Sequence, residues 1–97
     1  IEIAGKTIKN RVVRTAHATG IGGGFMSDDL IAYHEARARG GVGLSVLEIL
    51  SVHPTSPAPL NMFDKTLDEG YGKLMDAVRP HGMAVYQQIW HAGHNGT

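Results

Sequence analysis

The order of apolar and polar positions along this chain predicts three buried strands separated by two amphipathic helices. The strands begin near residues 11, 42 and 83, where short and nearly continuous apolar runs are typical of a parallel sheet covered on both faces. Between Ser27 and Gly40, and again between Thr66 and Pro80, apolar side chains recur with a helical period of about 3.6 residues. Before the first strand, a short alternating pattern over residues 1–8 predicts a small hairpin.

The ends of both helices carry capping signals. Ser27 is a favourable N-cap for the first helix, and Gly40 suits the position that follows its last turn. Thr66 and Glu69 have the spacing of a capping box at the start of the second helix. Within the first helix, His34 is interpreted as a residue at the edge of the apolar stripe and not as a ligand.

The order strand, helix, strand, helix, strand indicates repeated βα units, which build parallel sheets with right-handed crossovers. Residues 51–65 contain three prolines and no period, and are predicted to form an irregular loop. Units of this size fit a (β/α)8 barrel, in which about 250 residues carry eight units, or the opening of a doubly wound sheet. Three strands cannot close a barrel. We therefore expect residues 1–97 to be the incomplete amino-terminal segment of one domain, with an edge strand open for pairing.

Composition argues against several classes of partner. Nine basic and nine acidic residues cancel and form no basic stripe, which argues against nucleic acid and anionic membrane surfaces. Cysteine is absent, so this sequence offers neither disulfides nor thiolate metal sites. No apolar run approaches the roughly 18 residues that cross a bilayer, and the first residues lack the pattern of a secretory signal. We expect a cytoplasmic protein that acts on a small molecule and could assemble as a homo-oligomer.

The residues that could carry chemistry stand at the carboxyl ends of the apolar runs, where parallel α/β folds place their ligands. Gln88 and Trp90 share one face of their strand, and an amide beside a flat ring suits a planar heteroaromatic ligand. The alternative, in which Gln88 bonds to a neighbouring strand and Trp90 fills the core, stays open at this point. Glu48, at the end of the second strand, is either paired structurally or placed at a site.

Two further motifs have some features of ligand sites. His91 and His94 invite a metal hypothesis, because imidazoles at strand ends serve metal-dependent barrel hydrolases. The sequence contains no H-E-x-x-H motif and no acidic ligand at matching spacing, so no metal site is predicted. The glycine-rich stretch after the first strand has Phe25 where the third glycine of G-x-G-x-x-G should stand, which favours a flexible strand-to-helix loop.

Three segments stand in an order and spacing that is more specific than any single motif. They read Lys9-Asn-Arg-Val-Val13, Tyr33-x-x-x-Arg-Ala-Arg-Gly-Gly-Val-Gly-Leu44 and Gln88-x-Trp-His-Ala-Gly93. Together they resemble the old yellow enzyme family, which comprises FMN-dependent ene-reductases and related NADH:flavin oxidoreductases. The resemblance implies a (β/α)8 barrel with non-covalent FMN at its carboxyl rim. It also implies a longer parent protein, which supplies the remainder of the barrel.

Carried over position by position, the resemblance implies one set of cofactor contacts and one substrate contact. Gln88 matches the glutamine that hydrogen-bonds the pyrimidine edge of the flavin, where such bonds tune the redox potential. Trp90 matches a residue beside the substrate pocket. The full set of implied cofactor-binding residues is Thr15, Ala16, His17, Ala18, Ile49 and Gln88.

The resemblance implies no catalytic residue within this segment. Three features are expected beyond Thr97: a pair of residues that polarises the substrate, the tyrosine that donates the proton, and the phosphate-binding loops. The pair is either two histidines or a histidine and an asparagine. Residues 1–97 alone are therefore expected to be inactive and to bind FMN weakly, because they carry only part of the site.

Three positions depart from the pattern of many family members. Ala18 lacks the side-chain hydrogen bond that threonine or cysteine would make there. His17 is more similar to larger relatives such as trimethylamine dehydrogenase or dienoyl-CoA reductases, but Ile49 stands where the first of these has an aromatic residue. His94 stands where many members have arginine. The subfamily therefore stays open.

By this resemblance, NADH or NADPH would reduce FMN, which would pass hydride to an activated alkene such as an enone or an enoyl thioester. An iron–sulfur cluster and FAD would join FMN if the parent is one of the larger multidomain relatives. The alternatives are a metal-dependent barrel hydrolase and a non-catalytic fragment.

Overall fold

The computed structural model describes residues 1–21, 25–56, 58 and 60–95, so residues 22–24 of the predicted glycine-rich loop lie outside the described part. Neither helix in that part is long and apolar enough to cross a membrane. The helices are α1 (Asp28–Arg39) and α2 (Leu67–Val78), with 3-10 turns at Arg79–His81 and Gly93–Asn95. The strands are β1 (Glu2–Ile3), β2 (Lys6–Thr7), β3 (Val13–Arg14), β4 (Leu44–Ser51), β5 (Leu60–Asn61) and β6 (Ala84–Trp90).

One parallel sheet is centred on β4. Strand β6 pairs with it from Leu44 opposite Ala84 to Ser51 opposite Trp90. Strands β3 and β5 also pair with β4 in parallel. Because β6 occupies one edge of β4, both lie along the opposite edge. The predicted α/β class and the parallel pairing of the three main strands are confirmed, as a partial sheet with two helices.

The main core lies between the sheet and the two helices, where α1 and α2 bury their apolar stripes. It consists of Met26, Leu30, Ile31, Ala38, Leu47, Leu50, Leu60, Leu67, Leu74, Val78 and Met83. A smaller cluster of Ile8, Leu44 and Ala84 lies on the opposite face of the sheet at its amino end. The two faces are thus both apolar at the start of the strands, as expected of a parallel sheet.

The predicted hairpin is confirmed and covers the amino end of the sheet. Strand β1 pairs antiparallel with β2, with Glu2 opposite Thr7. The turn places Ala4 at φ 51° and Gly5 at φ 78°, the paired positive angles of a tight hairpin turn. The Tyr86 hydroxyl donates a 2.9 Å hydrogen bond to the Ile3 carbonyl, which ties the hairpin to β6.

The first core strand is shorter than the predicted run of residues 11–16, since only Val13–Arg14 pairs with β4. Residues 15–21 leave the ladder and are held instead by side chains. The Arg14 guanidinium donates to the His17 carbonyl at 3.4 Å, and Thr19 bonds to the carboxylate of Glu48. Anchoring by side chains leaves no alternating pattern in the sequence, which is why the predicted end of the strand was wrong.

Helix α1 confirms one of its predicted caps and corrects two other predictions. The Ser27 hydroxyl accepts the N–H of Leu30 at 3.2 Å, as an N-cap does. Gly40 keeps a helical φ of −74°, and the positive φ falls on Gly41 at 111°. His34 is 0% exposed, so its placement at the edge of the apolar stripe was wrong.

The predicted capping box of α2 is wrong. Thr66 precedes the helix with φ −93° and ψ 0°, and its side chain caps no helical N–H. Its hydroxyl and its N–H both donate to Oδ1 of Asp64, at 2.7 Å and 2.8 Å, in a local turn. The backbone at Thr66 is helical, whereas an N-cap residue is extended, so the hydroxyl does not cap the helix.

The proline-rich stretch that was predicted to be an irregular loop contains β5. Leu60 pairs with Leu50 and Asn61 with Ser51, so this two-residue strand extends the sheet where β3 has ended. Leu60 is 1% exposed and belongs to the main core. A strand this short carries no period, so only the burial of Leu60 against β4 defines it.

Gly70 and Gly72 lie on α2 in different surroundings, which predicts opposite effects of alanine. A Cβ at Gly70 would lie 2.7 Å from Met26 Cβ, whereas nothing lies within 4 Å of one at Gly72. We expect Gly70→Ala to lower the free energy of unfolding by about 1–2 kcal/mol, because overpacking outweighs the gain in helix propensity. Gly72→Ala should raise it by up to about 1 kcal/mol. Urea denaturation of the parent protein measures both, and shifts of the same sign would contradict the packing at Gly70.

Candidate functional site

The site residues predicted from the sequence lie near, or directly after, the carboxyl ends of three adjacent strands. Residues 15–18 come directly after β3, Ile49 lies near the end of β4, and Gln88 and Trp90 lie near the end of β6. Because β3 and β6 flank β4 in parallel, these positions all reach its carboxyl end. Their exposure suits a surface that meets a ligand: Thr15, His17, Ala18 and Gln88 are exposed, and Ala16, Ile49 and Trp90 are half-buried.

The catalytic groups that the family resemblance implies are expected beyond Thr97, so they are not among the residues at this edge. Thr97 itself lies outside the described residues, which end at Asn95. The position of the catalytic residues after Thr97 therefore stays a prediction.

Arg14 fixes the backbone that carries residues 15–18. Its guanidinium is 9% exposed and donates to the Val46 carbonyl at 3.2 Å and to the His17 carbonyl at 3.4 Å. The cation also lies 5.2 Å from the centre of the Tyr33 ring on α1. A hydrogen bond from Arg14 lowers the pKa of Tyr33 below its ordinary value. The cation therefore holds strand, loop and helix together.

Glu48 is paired structurally, which decides between the two interpretations of its carboxylate. It is 1% exposed, and its Oε2 accepts the Thr19 hydroxyl at 2.7 Å and the Thr19 N–H at 3.2 Å. Its Oε1 lies 3.3 Å from Nε2 of the fully buried His34. Burial raises the pKa of Glu48, but the hydrogen bonds from Thr19 and His34 outweigh burial, and the net pKa is lowered. The carboxylate therefore stays ionised and anchors the loop after β3.

A β-bulge in β4 brings Glu48 to this position. Residue pairing with β6 shifts between Leu47 and Leu50, so the strict alternation expected along the strand is lost there. The Glu48 carbonyl accepts the side-chain amide of Gln87 at 2.6 Å, which fills a ladder position. The Gln87 side chain also accepts the Tyr71 hydroxyl, and burial raises the pKa of Tyr71 to about 12.

The two glutamines of β6 have different surroundings. Gln87 is bonded through both its amide oxygen and its amide nitrogen to protein partners. Gln88 points to the opposite face, is exposed, and makes no side-chain hydrogen bond to any described residue. Trp90 shares its face and is half-buried. Of the two alternatives left open by the sequence, the one in which Gln88 bonds a neighbouring strand is therefore not observed.

The loop after β4 adds residues to this edge that the sequence did not point to. Ser56 is 0% exposed, and its hydroxyl accepts the N–H of Ala92 at 2.8 Å, which ties the loop to the end of β6. His53 and His91 consequently lie with their ring centres 6.0 Å apart. No periodic or spacing signal joins positions 38 residues apart in the chain, so only the fold could reveal this pair.

The motif of His91 and His94 gains no further ligand from the fold. Within residues 1–21, 25–56, 58 and 60–95, no group of three or more His, Cys, Asp or Glu side chains is arranged to hold a metal ion. The Nδ1 atom of His91 accepts the N–H of Gly93 at 2.8 Å. That ring nitrogen is therefore already engaged by the backbone.

Comparison with known proteins identifies related sequences. The sequence profile of the NADH:flavin oxidoreductase / NADH oxidase family matches residues 1–97. An NADH oxidase of Thermoanaerobacter brockii is 38% identical over 98% of this chain, and an N,N-dimethylglycine/sarcosine dehydrogenase of Chromohalobacter salexigens is 37% identical over 96%. A multifunctional alkene reductase/demethylase OYE of Caballeronia cordobensis is 28% identical over 92%.

The chain spans a small part of each of these relatives. The matched segment covers 16% of the NADH oxidase, 14% of the dimethylglycine/sarcosine dehydrogenase and 14% of the alkene reductase. Most of the length of those proteins therefore has no counterpart in residues 1–97. The part of their sequence that this chain shares is nearly the whole of residues 1–97.

Proposed function

The chain belongs to the NADH:flavin oxidoreductase / NADH oxidase family, the old yellow enzymes and their relatives, and on that premise we propose that it forms the first part of an FMN site in a (β/α)8 barrel. The parent protein would supply the later strands, the phosphate-binding loops and the catalytic residues, all beyond Thr97. In this proposal residues 1–97 contribute cofactor contacts and one side of the substrate pocket, and no catalytic group. The activity is the transfer of hydride from NADH or NADPH through the flavin to an acceptor.

The observation that carries this proposal is the side-chain amide of Gln88, which bonds to none of the described residues. An exposed glutamine that leaves donor and acceptor free at the carboxyl edge of a parallel sheet suits the alternating donors and acceptors of a flavin pyrimidine ring. The neighbouring Gln87 has the same side chain but uses it to bond Tyr71 and the Glu48 carbonyl. The contrast argues that the position of Gln88 serves a ligand.

The other implied contacts fit a planar cofactor. Residues 15–18 run along the edge of the sheet on a backbone fixed by Arg14, so their peptide groups and small side chains can approach a ring closely. Ile49, beside the bulge of β4, offers backbone and an apolar side chain between residues 15–18 and Gln88. Trp90 would then flank the substrate side of the ring. FMN bound there supplies the two-electron chemistry, and these residues bind and orient it.

For the acceptor we propose an activated alkene, such as an enone or an enoyl thioester. The name of one relative, a multifunctional alkene reductase/demethylase, supports this class of acceptor, while the names of the other two point to oxygen or amine chemistry. FAD and an iron–sulfur cluster would be further cofactors if the parent has the additional domains of the larger relatives. Analysis of the parent for iron and acid-labile sulfide tests that extension.

Gln88→Leu tests the flavin contact. The leucine cannot hydrogen-bond the pyrimidine edge, so we expect the midpoint potential of the flavin to fall by about 30–60 mV, the equivalent of one charge-assisted hydrogen bond. FMN affinity should fall about tenfold or more for the same reason. Spectroelectrochemical titration of the parent protein measures the potential, and flavin release measured by fluorescence gives the affinity.

Gln87→Leu is the matched control, because it removes the same group from the next position. It should lower stability by about 1–3 kcal/mol, since it leaves the Glu48 carbonyl without its partner, and should leave the flavin potential unchanged. A folded parent protein that lacks the yellow absorption of bound flavin would refute the flavin assignment. An equal shift of potential in both variants would show that Gln88 acts through stability alone.

A further inference from the structure

A cavity lies beyond the carboxyl end of β4, under the loop that leads to β5. Its volume is about 270 Å³, which is room for a small organic group. None of the proposed cofactor contacts is among the described residues that line it. Those residues are Ser51, His53, Pro54, Ser56, Ala58, Asn61 and Phe63.

Buried serines hold the backbone around this cavity in place. The Ser51 hydroxyl donates to the His53 carbonyl at 2.8 Å and accepts the His53 N–H at 3.4 Å. Ser56, which is 0% exposed, accepts the N–H of Ala92 from the segment after β6. The loop is therefore tied to the end of β4 at one side and to the end of β6 at the other.

Both histidines at this place have their hydrogen-bond roles fixed by the backbone. The Thr55 N–H donates to His53 Nδ1 at 3.3 Å, with the Thr55 hydroxyl 2.9 Å from the same nitrogen, and the Gly93 N–H donates to His91 Nδ1 at 2.8 Å. A neutral imidazole with an accepting Nδ1 carries its proton on Nε2. His53 lines the cavity and His91 lies beside it, with the two ring centres 6.0 Å apart, and neither Nε2–H has an acceptor among the described residues.

Asn61 adds donors to the same cavity. Its Oδ1 accepts the N–H of Phe63 at 3.1 Å, which leaves the amide nitrogen available for a ligand. None of the described residues that line the cavity is acidic, and none is lysine or arginine. Neutral donors without a fixed cation match a singly charged carboxylate better than a phosphate, which is usually met by arginine, lysine or a helix N-terminus.

The cavity adjoins the strand end that carries Trp90. Ser51 pairs with Trp90 across the sheet, and the Val52 N–H donates to the Trp90 carbonyl at 3.2 Å. We propose that His53, His91 and Asn61 form a subsite that binds the carboxylate group of a small organic ligand beside Trp90. That this ligand is the substrate rests on the proposed function, in which Trp90 flanks the substrate pocket. The carboxylate contact itself rests only on the donors and the cavity.

Calorimetric titration of the oxidised parent protein with succinate tests the subsite. Succinate should bind saturably, and its uncharged counterpart succinamide at least about tenfold more weakly, because a hydrogen bond to a charged group is stronger than one to a neutral group. His53→Ala and His91→Ala should each raise the succinate Kd about tenfold. His53→Asn keeps a donor and should lose less affinity than His53→Ala.

His94→Ala is the control, since this exposed histidine lies outside the pair and should leave the succinate Kd unchanged. No saturable succinate binding, or an equal loss of affinity in His94→Ala and in His53→Ala, would overturn the subsite. Inorganic phosphate that binds more tightly than succinate through the same two histidines would overturn the carboxylate assignment. A colourless parent that still binds succinate through both histidines would refute the flavin proposal and leave this subsite standing.

Discussion

Glu48→Ala will lower the free energy of unfolding of the parent protein by about 3–5 kcal/mol, the largest single effect that we expect in residues 1–97. The carboxylate is 1% exposed and satisfies the Thr19 N–H, the Thr19 hydroxyl and Nε2 of His34. Its removal leaves all three of these donors without a partner and opens a void beside α1. The unsatisfied donor of the fully buried His34 costs about 1–3 kcal/mol, and the two donors of the half-buried Thr19 and the void add to it.

The loss should reach the candidate site, because Thr19 directly follows residues 15–18. Without the Glu48 anchor that segment is held by Arg14 alone, so FMN affinity should fall together with stability. Glu48→Gln keeps the shape and one accepting oxygen and should cost only about 1–2 kcal/mol. Urea denaturation and flavin release measure the two effects. A stable Glu48→Ala variant with normal FMN affinity would show that the buried network does not hold the loop.

The pH dependence of stability tests the pair of Glu48 and His34. Burial lowers the pKa of His34, and the opposing hydrogen bond to Glu48 does not restore it, so the folded protein keeps the ring neutral. The unfolded chain takes up a proton below about pH 6.5 that the folded chain does not, so stability is full above that pH and falls as the pH drops. His34→Gln removes this titration. Its stability should therefore change less between pH 7 and pH 5 than that of the unaltered protein, by up to about 1–2 kcal/mol.

Local patterns predicted those parts of the fold that local forces decide. The apolar runs identified β4 and β6 because a strand buried on both faces must be hydrophobic at nearly every position. Ser27 identified the start of α1 because its hydroxyl acts within one turn of the chain. The capping box at Thr66 failed because the backbone there is helical and not extended, in a turn that Asp64 closes by accepting from Thr66.

Contacts between distant positions decided what the sequence could not show. The roles of His34 and Glu48 depend on each other and on Thr19, across separations of 14 and 29 residues. The bulge in β4 changes which side chains share a face, and no residue type marks it in advance. Strand parity predicted that Gln88 and Trp90 share a face, and by the same alternation Gln87 faces the other way. Which of the two glutamines is free depended on Tyr71, a residue of another element.

Gly43→Ala should lower the free energy of unfolding by about 2–4 kcal/mol, the second large effect that we expect. Gly43 lies where the three parallel strands begin: its N–H donates to the Val12 carbonyl at 3.0 Å and its carbonyl accepts the Ala84 N–H at 2.9 Å. A Cβ there would overlap Oδ1 of Asn10 and lie 3.1 Å from the Asn10 carbonyl. That Oδ1 accepts the Val12 N–H at 3.0 Å, while the Asn10 amide donates to the Gly41 carbonyl at 2.8 Å. The methyl group would therefore displace the side chain that fixes the start of β3.

A double-mutant cycle separates this clash from a general intolerance of alanine in the sheet. Asn10→Ala removes the overlapped amide, so Gly43→Ala should cost at least about 1 kcal/mol less in that background than in the unaltered protein. Gly72→Ala is the control, since nothing lies within 4 Å of a Cβ added there and this change should not lower stability. Urea denaturation of the four proteins of the cycle gives the coupling energy. Strictly additive effects would mean that Asn10 does not clamp the start of β3, and that residues 15–18 owe their position to Arg14 and Glu48 alone.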